Sequence, residues 1–359
     1  MLNNRILIIV IILFIGKNFL FASQDIPKNW PWKGITFSVS TLNGSNISKF
    51  DKIKNMNGNM VRLHINLKRD LVDNNLSVTQ LIEKNFNTID KVLDKCKEFN
   101  ITSIIAFSDF PLEEASECND KLDPRYWKNE KCLSRMNEII SMTMHRFKNR
   151  GSELTAYQLM AEPVTKVDEK GVVPDNWNRV FENIVKLRNK IDNNRYLVFT
   201  PGPWASPVGY KEMKKLNYKN IIYNIHMYAP ANFTHQKIFT NRFNNWTSYP
   251  GWINLEYWNK EKLIHTLRHV KEFQDKNQDL ILVGEFNAVQ WANGREEYLT
   301  DLINIFDNYN WSWVFFGYVT FEGWNPDYEI TNIKDKTLHY EGNSSNTWKL
   351  LKKLNNSRN

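Results

Sequence analysis

The chain alternates between two hydrophobic periods, and that alternation limits its fold more than any other feature. Short apolar, β-branched runs recur at 34–39, 59–65, 101–107, 154–160, 195–200, 221–227, 280–285 and 313–319. Helical spacing fills the intervals. Ser77 with Gln80 forms a capping box ahead of a stripe made by Ile82, Phe86, Ile89, Leu93 and Cys96. The same period holds Leu133, Met136, Ile140, Thr143 and Phe147, and then Trp177, Val180, Phe181, Ile184 and Ile191. It returns at Leu263, Leu267 and Val270, and again at Tyr298, Leu302, Ile305 and Tyr309. Eight strands with helices between them predict an α/β fold, a single (β/α)8 TIM barrel. A doubly wound open sheet would carry a Gly-rich turn after its first strand, and residues 38–44 contain no G-x-G-x-x-G.

Composition enters as a filter. With 42% hydrophobic residues, 14 Gly and 12 Pro, neither disorder nor low complexity is tenable. Three Cys are too few for a disulfide scaffold. The net charge of +8 would suit an acidic partner, but the basic residues are dispersed, so no nucleic-acid partner is expected. No P-loop, Cys-His cluster or G-x-S-x-G occurs. His265 and His269 have metal-ligand spacing but lie off the apolar face of their helix, so a solvated face is expected there. No metal and no cofactor are expected.

Residues 1–22 read as a secretory signal peptide, with Arg5 as the basic region and 6–16 as the apolar core. The competing reading is an uncleaved anchor, for which the apolar run is short. Cleavage would remove Arg5 and Lys17 and no acid, leaving +6. The expectation is a secreted or periplasmic monomer with no membrane span after cleavage and one catalytic domain over 23–359. Export permits disulfides, and Cys118 and Cys132 flank one polar stretch that they can close. The alternative is three free thiols. Cys96 belongs to a helix stripe and is expected to be buried. The sequons at Asn43, Asn75 and Asn232 are of the kind an Asn-rich chain produces by chance.

A barrel presents its chemistry at the C-terminal ends of its strands. Two strands end in a lone Glu, at Glu162-Pro163 and at Glu285. Strands four and seven lie across the mouth from one another. A facing carboxylate pair is what glycosidic bond cleavage requires. Either Glu alone reads better as a rim ion pair. Strand two ends in Val61-Arg62-Leu63-His64, and an Arg there can hold a neighbouring carboxylate ionised. Strand six ends in His226-Met227-Tyr228, two polar groups on one side of the strand. Trp204, Trp246, Trp252, Trp291 and Trp324 fall in loops on the same side, where aromatic faces can stack on sugar rings. Trp204 and Trp324 are the stronger candidates, with Phe316 competing with Trp324.

In this order the motifs resemble those of glycoside hydrolase family 5, the cellulase and mannanase family. VRLH resembles its Arg strand, MAEP its acid/base motif, HMY its His-x-Tyr, GEF its nucleophile motif and FEGWNPDYE its aromatic-acidic tail. The resemblance implies a retaining hydrolase of β-linked glucan or mannan, with Glu162 as acid/base and Glu285 as nucleophile. It further implies that Arg62 and Tyr228 orient Glu285 and that His226 contacts the sugar or the acid/base. Two positions depart from the pattern. Ala161 stands where the family has an Asn that binds the sugar 2-hydroxyl, and Phe107-Ser108-Asp109 replaces a frequent His after strand three. Ala161 is also what supports an alternative, a carbohydrate-binding pseudoenzyme. The loop 230–236 resembles a segment of some bacterial members, without assigning His235 a role.

Overall fold

The computed structural model describes residues 25–42, 50–73, 76–112, 116–239, 242–318 and 321–356. The expected signal peptide and the sequon residues Asn43 and Asn75 lie outside them. Eight parallel strands close into a barrel: β1 Lys33–Ser38, β2 Met60–Ile65, β3 Thr102–Phe107, β4 Ala156–Leu159, β5 Tyr196–Phe199, β6 Ile221–Met227, β7 Leu280–Phe286 and β8 Ser312–Tyr318. Each strand pairs with its sequence neighbour, and β8 returns to β1.

The long helices outside are amphipathic, the first five of them as their spacing predicts. They include α1 Val78–Glu98, α2 Glu130–Phe147, α3 Trp177–Ile191, α4 Lys260–Asn277, α5 Arg295–Asn308 and α6 Asn346–Asn356. The N-terminus of α1 carries the reciprocal capping box, with Gln80 N–H donating to Ser77 Oγ at 3.2 Å and Ser77 N–H to Gln80 Oε1 at 2.9 Å. Cys96 is fully buried beneath α1. Cys118 and Cys132 are joined, with Cα atoms 5.2 Å apart. His265 and His269 sit on the outer face of α4, His265 against Arg268 and His269 against Glu272 at 2.9 Å.

Inside the barrel the lining changes along its axis. The lower layer is apolar, built from Met60, Ile104, Ala156, Val198, Ile222, Leu282 and Val314, and Trp32 plugs its floor. The backbone of Trp32 donates to Ser312 Oγ at 2.7 Å and accepts from Trp313 N–H at 2.8 Å. Further along several strands the inward lining turns polar, with Thr36, Arg62, Gln158, Asn224 and His226 all buried. Buried polar groups cost several kcal/mol when unpaired, roughly 2–7 for an amide or hydroxyl. Their collection at one end marks where the chain departs from simple core packing.

Candidate active site

Strand seven supplies the first carboxylate. Its pairing with β6 slips between Val283 and Glu285, a bulge that re-aims the following side chain. Gly284 allows the approach. A Cβ there would stand 2.3 Å from Asn224 Oδ1, which instead accepts the Gly284 N–H at 3.1 Å. Glu285 thereby turns into the barrel mouth, with little of its side chain exposed. Arg62 Nη1, fully buried on β2, lies 2.9 Å from Glu285 Oε1. Arg62 is itself fixed by Nε donating to Gln158 Oε1 at 2.8 Å. Tyr228 Oη donates to Glu285 Oε2 at 3.2 Å, and burial together with the nearby carboxylates keeps this phenol well above its usual range.

Strand four supplies the second. Beyond Leu159 the backbone turns through Met160 at φ 109°, a left-handed value that costs a non-Gly residue about 1–3 kcal/mol. The Ala161 N–H then donates to Phe107 O at 2.7 Å. This turn carries Glu162 into the cleft, where its Oε1 meets His226 Nδ1 at 2.8 Å. Burial pushes the Glu162 carboxyl up, but the hydrogen bond and charge of His226, with Lys121 and Arg62, outweigh it and hold the group low, at about 2. The same His226 nitrogen is 3.6 Å from Glu285 Oε2. One oxygen of each carboxylate and one nitrogen of His226 lie within 4.8 Å of one another. Among the described residues this is the one trio with metal-ligand geometry, and the Arg62 guanidinium already occupies one side of it.

The cleft around these groups has a volume of about 550 Å³. Trp204, Trp324 and Phe316 all line it. Trp324 stacks on Tyr228 with centroids 5.8 Å apart, and Phe316 meets Trp324 edge-on at 5.6 Å. Trp204 takes a left-handed backbone (φ 54°) and rests against Gly171, in the second strand of a hairpin formed by Thr165–Val167 and Lys170–Val172. The other three Trp are elsewhere. Trp291 is buried and donates to Gln236 O at 2.8 Å, Trp252 is exposed on a hairpin, and Trp246 lies outside the lining.

Ala161 and Ser108 do face the cleft, so both departures from the family pattern fall inside the site. Ser108 Oγ bonds His64 Nε2 at 2.5 Å, and burial with the nearby Arg62 keeps His64 neutral. Some participants escaped sequence reasoning. Lys121 donates from Nζ to Ser108 O at 2.8 Å; burial lowers its pKa against the pull of Glu162, Asp109 and Glu285. Gln158 had a readable signal, a lone polar residue inside an apolar strand. Lys121 had none, because it comes from an irregular loop. His235 sits against Tyr228 at 5.0 Å and Trp324 at 5.1 Å, and burial lowers it to about 4.

Comparison with known proteins finds relatives across most of the chain. The family described as Cellulase (glycosyl hydrolase family 5) matches residues 24–321. Endoglucanase C of Acetivibrio thermocellus is 25% identical over 315 residues, covering 77% of this chain and 84% of that protein. Among solved structures, a glycoside hydrolase superimposes with a TM-score of 0.69 at 17% identity, covering 90% of this chain and 99% of that one. Endoglucanase Cel5A of Thermotoga maritima gives 0.65 at 19% identity, over 90% and 96% of the two chains. The structural likenesses carry the barrel fold.

Proposed function

The chain belongs to the cellulase family, glycosyl hydrolase family 5, and on that premise we propose that it is a retaining, endo-acting β-glucanase that uses Glu162 and Glu285. The observation that carries the reading is the separation of the two carboxylates, which have oxygens within 4.8 Å of each other. Inverting enzymes need about 6.5–9.5 Å to admit a water between the pair, whereas retaining enzymes hold it at about 5–5.5 Å.

In the first step a Glu285 oxygen attacks the anomeric carbon and the glycosidic C–O bond breaks. The electron pair goes to the leaving oxygen, which takes a proton from Glu162. In the second step Glu162 removes a proton from water, the water oxygen bonds to the anomeric carbon and Glu285 is released. Arg62 and Tyr228 hold both Glu285 oxygens and aim the carboxylate, which suits the nucleophile. Glu162 is held ionised at rest by His226, which suits the second step. For the first step Glu162 takes up a proton from solvent as the leaving oxygen displaces His226 as its partner.

Glucan is favoured over mannan because relatives of the chain are named endoglucanases. Export fits the chain as well: the Cys118–Cys132 bridge is of a kind that persists in oxidising compartments. Among the described residues no helix is long and apolar enough to cross a membrane.

The test is hydrolysis of cellulose, mixed-linkage glucan, xyloglucan and mannan by the wild type, Glu162→Gln and Glu285→Gln. Each variant should lose several orders of magnitude while melting as the wild type does. The anomer first formed, read by NMR, should keep the substrate's β configuration. Ala161, facing the cleft, favours one other reading, a glycan-binding protein without turnover. Binding with no hydrolysis of any of the four polymers would establish that reading instead.

A further inference from the structure

We propose that the rim of the cleft after β6 is a subsite for anionic groups, carboxylate or phosphate, carried by the glycan. It is built from Lys237, Arg242 and Lys336, and it rests on the reading of the cleft as a glycan-binding site.

Each of the three cations is held over an aromatic face. The Arg242 guanidinium carbon lies 4.5 Å from the Phe239 centroid and 5.6 Å from that of Phe243. Lys237 Nζ stands 5.4 Å over Trp246, and Lys336 Nζ 5.6 Å over Trp291. The groups form one patch. The Lys237 N–H donates to Phe243 O at 2.8 Å, which sets Arg242 beside Lys237. Lys336, from the turn of the hairpin after β8, donates from Nζ to Lys237 O at 3.2 Å and so joins them. Phe239, Arg242 and Phe243 line the same cleft as Glu162 and Glu285.

Among the described residues no carboxylate pairs with any of the three. Lys237 Nζ bonds only a neutral amide, Asn244 Oδ1, at 3.2 Å. Nearby Lys262 shows the ordinary outcome, a pair with Glu256 at 2.7 Å. Ring faces orient a cation and weakly attract it, but they leave its charge in place. Three adjacent uncompensated charges repel one another, and an anion arriving between them relieves that repulsion. The planar guanidinium, pre-set by two rings, matches both a carboxylate and a phosphate. Neutral glucan has nothing for these charges to meet, whereas the exposed rings of Phe239 and Trp246 still offer stacking surfaces to its sugars.

The test compares three soluble polymers on one backbone: carboxymethylcellulose, phosphorylated cellulose and neutral hydroxyethylcellulose. The readout is the ratio of kcat/KM on each anionic polymer to that on the neutral one. Replacing all three cations (Lys237→Gln, Arg242→Gln, Lys336→Gln) should lower that ratio by roughly ten-fold, as several exposed charge contacts act together. Raising ionic strength to about 0.5 M should lower the wild-type ratio similarly. The two anionic polymers distinguish carboxylate from phosphate. A ratio unchanged in the triple variant and insensitive to salt overturns the proposal. Gel retardation by the same polymers, measured on Glu285→Gln, separates the rim from the chemistry. If the wild type hydrolyses nothing but the anionic polymers retard the parent and not the triple variant, the catalytic reading fails and the rim stands. Stronger retardation by single-stranded DNA than by either anionic glycan would overturn the glycan assignment.

Discussion

At the scale of single residues, Ala161 is the position where sequence and structure say most together. It faces the cleft beside Glu162, where the family pattern has a side-chain amide. Alanine cannot donate to a sugar hydroxyl. Ala161→Asn is therefore expected to raise turnover on neutral β-glucan by about ten-fold, the size of one recovered hydrogen bond in the transition state. Steady-state kinetics on a soluble glucan checks it, and a fall would show that Lys121 or Ser108 already fills that space. Asp109 offers a residue-scale test of stability. Burial pushes its carboxyl up to about 6, although the Lys68 N–H donates to Oδ1 at 3.0 Å. A carboxyl raised on folding binds its proton more tightly in the native state. Its penalty is absent below the ordinary carboxylate range, grows as pH rises to about 6 and is constant above that. Asp109→Asn should therefore melt several degrees above the wild type at pH 8, and the gain should vanish near pH 4. An equal gain at both values would show that the ionised carboxyl is not the cause.

At the scale of elements, what reads from sequence is what repeats. The eight apolar runs match the eight strands to within two residues at each end, because buried β-branched residues make strands with few alternatives. Helices α1 to α5 followed from one apolar stripe each, whereas α6 was not read. The three hairpins, at 165–172, 251–258 and 328–340, did not read out. They are short and largely exposed, so no period marks them. The strand-end residues Arg62, Glu162, His226, Tyr228 and Glu285 were readable because polarity at the end of an apolar run is conspicuous. Their mutual distances were not, since those depend on the bulge at Gly284 and the turn at Met160. Gly284→Ala tests the bulge. Its Cβ would be driven onto Asn224 Oδ1, 2.3 Å away, and against the His226 ring at 3.4 Å. The strand pair must spread, so about 1–3 kcal/mol of stability should be lost. Activity should fall much further than stability, as His226 moves away from Glu162. In an Asn224→Ala background the same change should cost clearly less, and an undiminished cost would locate the clash elsewhere.

At the scale of the whole molecule, contacts between segments far apart in the chain help to close the barrel, and Asp327 makes several of them. It is buried and receives Lys52 Nζ at 2.6 Å, Tyr318 Oη at 2.7 Å and Trp348 Nε1 at 2.8 Å. Those donors come from the segment between β1 and β2, the end of β8 and helix α6. The FEGWNPDYE tail resembles the family's aromatic-acidic segment, and its aromatic part reaches the cleft through Trp324. Its acid instead ties the two ends of the barrel together, a role that no local pattern reveals because its partners are 275, 9 and 21 positions away. Removing the carboxylate strands a mostly buried ammonium and two buried donors. Asp327→Ala should cost about 3–5 kcal/mol, lowering the melting temperature by roughly 6–10 °C or more. Because the seam lies away from Glu162 and Glu285, kcat at a permissive temperature should change far less than the melting point. Adding Lys52→Met removes the stranded charge and should recover part of the loss. No recovery would place the cost in the hydrogen bonds of Tyr318 and Trp348 rather than in the ion pair, and a melting point unchanged in Asp327→Ala would mean that this seam does not hold the barrel closed.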